Sequence, residues 1–259
     1  MPLHRPVPTT TYRLPGTAAE QDSRQMRPTT NQHLNTQSPL PLPTKSSARK
    51  TKEKLQNTHP DINPNNIEWL LLDLTDLKSI DTAAHELKKK ERKLDILINN
   101  AAVPTSSTEL VARIWEQHMA ANHVGHFLFV NRVLPLLKNA LKAKETDVRI
   151  INLSSLAHVS VLPHTFKFKF DSAACLSNPV PSHPWQWRFL GRFIFWFDMV
   201  RYAVSKAAVV LFTKELQHRL DEQGLLVITI AVHPGEVATE GVMTINNAFI
   251  SIYLIGSIR

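Results

Sequence analysis

Four short apolar runs, each closed by a polar cluster and set among amphipathic stretches, limit what this chain can fold into. Ile67 to Leu72 ends at Asp73, Leu94 to Ile98 at Asn99-Asn100, Val148 to Leu153 at Ser154-Ser155, and Leu225 to Val232 at His233-Pro234-Gly235. After the first run, Leu77, Ile80, Ala84 and Leu87 recur at helical spacing; a long helix is expected from about Glu109 to Lys138, and another carries Tyr202 ahead of the fourth run. Continuous apolar strands alternating with such helices describe a parallel sheet covered on both faces. The expected fold class is therefore α/β, a doubly wound parallel sheet with right-handed crossovers. In open sheets of this kind ligands bind beyond the carboxyl ends of the strands, so the four polar clusters converge on one rim.

The chain is long enough, at 259 residues, for one such domain plus a tail. Residues 1–47 hold eight of the seventeen prolines, are rich in Thr, Ser and Gln, and show neither helical nor strand periodicity, so a disordered tail is expected there. The folded unit is expected over 48–259, with an insertion at about 158–200 that includes the aromatic run Phe189 to Phe197. That insertion reads equally as a lid or substrate wall beside the site and as a small satellite core.

A formal net charge of +8 raises the question of nucleic acid or an anionic membrane. The basic residues are dispersed, no nucleic-acid motif accompanies them, and the densest run, Lys88 to Lys93, suits a helix C-terminus; neither partner is expected. A single cysteine, Cys175, rules out an internal disulfide framework and fits a reducing compartment. With no signal-peptide core and no apolar run of membrane-spanning length, the expected location is cytoplasmic.

Chemistry concentrates at Tyr202-Ala203-Val204-Ser205-Lys206, which puts a phenol and an ammonium one helical turn apart on one face. A lysine cation held beside a tyrosine favours the phenolate and moves its proton nearer to transfer at neutral pH. Such a phenol can serve as a general acid or base, although the same spacing also describes an ordinary solvated pair. His118, His123 and His126 sit among Ala, Val and Phe with no carboxylate triad beside them, and no metal is expected.

Taken in order, Leu70-Leu71-Leu72-Asp73-Leu74, Asn99-Asn100-Ala101-Ala102, Asn122 in Ala-Asn-His-Val-Gly, Asn152-Leu153-Ser154-Ser155, Tyr202-x-x-x-Lys206 and Pro234-Gly235-x-Val237-x-Thr239 resemble the motifs of the short-chain dehydrogenase/reductase family over roughly Ala48 to Gly241. The wording around Arg149 to His158 is similar to its retinol-dehydrogenase-like branch. The resemblance implies a Rossmann-type fold and an NAD(P)-dependent oxidoreductase that interconverts a carbonyl and an alcohol on a small or lipophilic molecule. It implies that Tyr202 is the general acid, that Lys206 lowers its pKa and holds the nicotinamide ribose, that Asn122 holds a relay water, and that Ser155, not Ser154, hydrogen-bonds the substrate oxygen. Cofactor contacts implied are Asp73 and Leu74 near the adenine, Asn100 and Ala101 along the adenosine, and Val237 and Thr239 around the carboxamide, with Pro234 and Gly235 also on the cofactor. Arg49 resembles the arginine that meets a 2′-phosphate, which favours NADP over NAD. A homo-oligomer is compatible with the family.

Two departures accompany the resemblance. The family's first strand and glycine-rich turn cradle the pyrophosphate, whereas here no Gly-x-x-x-Gly-x-Gly precedes Asp73 and Gly16 is the one glycine before Gly125. After Glu240, only Gly241 to Arg259 remain where the family continues with a helix and a strand. The alternative expectation is thus a catalytically impaired remnant or aberrant gene product, acting at most as a binding module.

Overall fold

The computed structural model describes residues 9–11, 29–32, 45–60, 62–103, 110–143, 146–162, 164–180 and 198–235. In chain order the elements are β1 (Thr9–Thr11), β2 (Thr29–Gln32), α1 (Lys45–Thr58), β3 (Glu68–Leu71), α2 (Leu77–Lys90), β4 (Ile96–Asn99), β5 (Leu110–Val111) and β6 (Trp115–Glu116). They continue with α3 (Gln117–Met119), a π turn over Ala120–Val124, α4 (Gly125–Ala140), β7 (Val148–Leu153), α5 (Ala157–Ser160), α6 (Ala174–Ser177), α7 (Met199–Glu222) and β8 (Val227–Val232).

The four apolar runs are β3, β4, β7 and β8. Strand β4 pairs parallel with β7, and β7 pairs parallel with β8. A second sheet has the order β1-β2-β3, parallel between β2 and β3 and antiparallel between β1 and β2, and β1 lies alongside β4. Strands β1 and β2 fall inside the stretch expected to be disordered; the rest of residues 1–44 lies outside the described residues. The threonines at 9–11 and 29–30 are β-branched and suit an extended backbone, a signal that the surrounding prolines obscure in sequence. The pairing gives β3 the ladder partner that the sequence left unassigned.

Helix α2 starts where Asp76 accepts a hydrogen bond from the Lys78 N–H, and it ends on Lys88, Lys89 and Lys90, the sign that suits its C-terminus. It buries Ile80, Ala83, Ala84 and Leu87 against the face of α4 that carries Phe129, Val133, Leu136 and Leu137. The long helix expected from Glu109 begins instead at Gln117. Residues 110–116 form a β5–β6 hairpin turned through Ala112 and Arg113, which hold positive φ angles of 50° and 61°. Glu116 then caps α3 by accepting from the Met119 N–H, which fixes the helix start. No described helix is long and apolar enough to cross a membrane.

Two contacts hold the rim of the sheet. Gly125 opens α4 against the β3–α2 loop so closely that an added Cβ would stand 2.3 Å from the Leu74 carbonyl oxygen. Beneath the rim, Asn99 donates to the Asn152 side-chain oxygen at 2.7 Å, Asn152 donates to the Thr213 hydroxyl at 3.0 Å, and Thr213 donates to the Val209 carbonyl at 2.7 Å. This buried chain ties β4 to β7 and β7 to α7.

Substituting Gly125→Ala therefore forces backbone apart, with an expected loss of about 2 kcal/mol in urea unfolding, within the range for overpacking. Asn152→Leu strands two buried partners and should lose about 2–4 kcal/mol. In a double-mutant cycle, Asn99→Leu added to Asn152→Leu should cost clearly less than when made alone; additive losses would show that the two amides act independently.

Candidate active site

Helix α7 begins where the Asp198 side chain accepts from the Arg201 N–H, so Tyr202 lies in its first turn and Lys206 one turn further on. Strand β7 ends at Leu153, directly before Ser154 and Ser155. Two hydrogen bonds clasp the helix to that strand end: the Lys206 Nζ donates to the Leu153 carbonyl at 2.8 Å, and the Ser154 hydroxyl donates to the Lys206 carbonyl at 2.9 Å. Lys206 is 2% exposed. The clasp brings Tyr202 to Ser155, and the two side chains share a hydrogen bond. The Ser155 oxygen also accepts from the Ala157 N–H at 3.2 Å, so the serine hydroxyl is oriented.

The electrostatics differ from the sequence expectation. Burial pushes the Tyr202 phenol above its ordinary value, and the hydrogen bond from Ser155 only opposes this. Lys206 does not depress it here. Its Nζ stands 5.6 Å from the centre of the tyrosine ring and points to a backbone carbonyl, and burial pushes the ammonium itself down to about 8. The expected phenolate-stabilising pair is therefore corrected to a protonated phenol beside a desolvated ammonium.

Asn122 sits in the π turn, a widened helical turn of the kind found at functional sites. Its side-chain oxygen accepts from the Val103 N–H at 2.7 Å and its amide donates to the Ser205 hydroxyl at 3.0 Å, while Ser205 donates to the Tyr202 carbonyl at 2.7 Å. With the residue fully buried, that amide braces the loop after β4 against α7.

The other expected residues divide. Asp73 is half-buried and accepts from both the N–H and the hydroxyl of Thr75, which shapes the turn after β3. The Leu74 side chain is in the core, so that residue has only its backbone to offer a ligand. Asn100 is half-buried at the end of β4; Ala101 is buried, and its carbonyl bonds His126 Nε2 at 2.8 Å. Pro234 and Gly235 are exposed just beyond β8, with Gly235 at φ 77°. Arg49 is exposed on α1 and pairs with Glu53 at 3.4 Å. Val237 and Thr239 lie outside the described residues.

The three histidines have separate surroundings. His118 bonds Glu116, His126 bonds Ala101, and His123 packs its ring against Phe127 and Phe212 with Nδ1 lacking a hydrogen-bond partner. Burial pushes His123 down to about 4. Among the described residues no group of His, Cys, Asp or Glu is arranged to hold a metal ion.

The residues that sequence reasoning passed over are the supports: Asn99, Asn152, Ser154, Ser205 and Thr213. Asparagine inside an apolar strand run was the available signal, because an amide buried there must find partners.

A family model described as short chain dehydrogenase matches residues 43–167. The chain is 32% identical over 198 residues to the short-chain dehydrogenase/reductase pyiH of Pyricularia grisea, covering 74% of this chain and 76% of that protein. It is 35% identical over 196 residues to the short chain dehydrogenase/reductase dpchH of Colletotrichum higginsianum, covering 76% and 47%. Retinol dehydrogenase 13 of Mus musculus is 40% identical over 169 residues, covering 65% and 42%. The chain spans about half the length of several of the curated relatives it matches. In structure it resembles the RhlG/NADP active-site complex of Pseudomonas aeruginosa, with a TM-score of 0.51 at 20% identity over 79% of this chain and 63% of that one, a likeness of fold. The ordered motifs, the parallel sheet and these relatives together place the chain in the short-chain dehydrogenase/reductase family.

Proposed function

We propose that this chain is an NAD(P)-dependent oxidoreductase that interconverts a carbonyl and an alcohol on a small, lipophilic substrate, with NADP preferred. The observation that carries the reading is the hydrogen bond between Ser155 and Tyr202 at the rim, made by residues that are 47 apart in sequence and belong to different elements. The single Ser155 O–H, which meets Tyr202 in the free chain, turns to an incoming carbonyl oxygen while the Ala157 N–H keeps the serine oxygen in place. Tyr202 stays protonated at neutral pH, since burial raises its pKa, and so serves as the acid that completes reduction. Asn122 holds the frame by its amide, as above. Lys206 keeps two further N–H donors for the ribose of the cofactor. Bound reduced nicotinamide supplies the hydride.

The residues fit the nicotinamide half of that cofactor through Lys206, Tyr202, Pro234 and Gly235, with Val237 and Thr239 continuing the motif in sequence. For the adenosine half, Asn100, Ala101 and the backbone at Asp73 and Leu74 are the candidates. The NADP preference rests on the sequence resemblance at Arg49, which in the structure is exposed and paired with Glu53. The apolar substrate class is supported by Phe166, Phe168 and Phe170, whose rings follow one another at 5.2 and 6.1 Å, the first and last packing on the same satellite cluster as Tyr202.

One observation favours a second reading. No glycine-rich turn precedes Asp73, so a binding module without turnover is the competing outcome. Turnover of a panel of aldehydes and ketones with NADPH, alongside quenching of tryptophan fluorescence, separates the two. The oxidoreductase reading expects Tyr202→Phe to lose about 10²–10⁴-fold in kcat while still binding NADPH. A folded chain that binds no NADPH at millimolar concentration would overturn it and leave the binding-module reading.

A further inference from the structure

Tyr202 has a neighbour that neither the family motifs nor the proposed reaction uses. The ring of His118 meets the tyrosine ring edge-on, with centres 6.2 Å apart and planes at 76°. His118 is completely buried, and its Nδ1 lies 2.7 Å from the Glu116 Oε1. Glu116 is only 3% exposed, and its second oxygen accepts from the Met119 N–H at 3.0 Å. Burial pushes the Glu116 carboxyl up, but the hydrogen bonds and charge of His118 and the backbone amides of residues 118 and 119 outweigh this and hold it below the usual carboxylate range. An ionised carboxylate is acceptor only, so Nδ1 carries the proton in this bond. The pair stands at the joint between the β5–β6 hairpin and α3, and α3 packs on α7.

We propose that Glu116 and His118 form a positioning pair for Tyr202: the carboxylate locks the imidazole, and the imidazole edge fixes the plane of the phenol ring against Ser155. A packed aromatic held by a hydrogen-bonded partner cannot rotate freely, and small losses of orientation at a reacting group lower turnover more than binding. The inference rests on the oxidoreductase reading for its kinetic consequence but not for its geometry. The test is therefore read two ways.

The chain has three tyrosines, Tyr12, Tyr202 and Tyr253. Subtracting the tyrosinate absorbance titration of Tyr202→Phe from that of the parent isolates Tyr202, and the same subtraction is made in a His118→Leu background. The expected result is that the Tyr202 midpoint falls back toward ordinary tyrosine by about half a unit or more, as the loosened ring reaches water. With an active carbonyl substrate, kcat should drop about tenfold with KM for NADPH within about twofold. Glu116→Gln offers one acceptor oxygen to two donors, Nδ1–H and the Met119 N–H, and should lower both the Tyr202 midpoint and kcat by less than His118→Leu. His118→Gln keeps a donor for Glu116 and loses the ring; it is read in the same way if His118→Leu does not fold. An unchanged Tyr202 midpoint in a folded variant overturns the proposal. Absence of activity in the parent overturns only the oxidoreductase reading and leaves the titration to decide this one.

Discussion

The clasp between the start of α7 and the end of β7 holds the rest of the site in place. It consists of two hydrogen bonds in opposite directions, an ammonium giving to the Leu153 carbonyl and the Ser154 hydroxyl giving to the Lys206 carbonyl. Burying a cation this fully is unfavourable, by several kcal/mol for an unpaired ion. The downward shift of Lys206 expresses that penalty. The carbonyl offsets part of it, and the position of the helix follows: Tyr202, one turn earlier, stands beside Ser155. The geometry of the candidate site is a consequence of where one lysine is buried.

Around the clasp the polar side chains form two braces. Asn99, Asn152 and Thr213 link two strands and the helix below the rim, while Val103, Asn122 and Ser205 link the loop after β4 to the backbone of Tyr202. Buried amides that satisfy one another are stiff, because any movement leaves a polar group unpaired in a low-dielectric interior. On the other side Val161, Phe166 and Phe170 pack with Tyr202 around Ala157, Leu162, Val180, Val200, Ala203 and Val204. The described part of the insertion thus contributes to a satellite core; the aromatic run from Phe189 to Phe197 lies outside the described residues.

Much of this was legible from residue pattern, and the failures have physical causes. Strands β3, β4, β7 and β8 were visible as continuous apolar runs, although Leu71, Ile228 and Ile230 turn out exposed; Ser155 drew attention because a polar cluster closes β7, and Tyr202 because a lysine follows it one helical turn later. The β5–β6 hairpin was not visible. Leu110, Val111 and Trp115 suit a helix as well as a strand, and positive φ at Ala112 and Arg113 has no glycine to announce it. Strands β1 and β2 were hidden by prolines on either side. The direction of the Tyr202 shift differs from the expectation because sequence shows that a lysine is adjacent but not that it is buried and the tyrosine half-buried, and burial acts on the two in opposite senses. The Glu116–His118 pair escaped notice for the same reason, since its chemistry depends on burial.

The most direct measurement of the clasp is the unfolding free energy as a function of pH. Burial pushes Lys206 down to about 8 in the folded chain from the ordinary 10.5, so between those values the unfolded state binds more protons and stability rises with pH. Tyr202, shifted upward, acts in the opposite sense as its unfolded form titrates around its ordinary value of 10, which leaves the window from 8 to 9 to the lysine. The account predicts a rise of about 1 kcal/mol per pH unit across that window, absent in Lys206→Met. A profile that is flat from pH 8 to 9, and the same in both proteins, would contradict it, because the ammonium would then carry no net burial penalty.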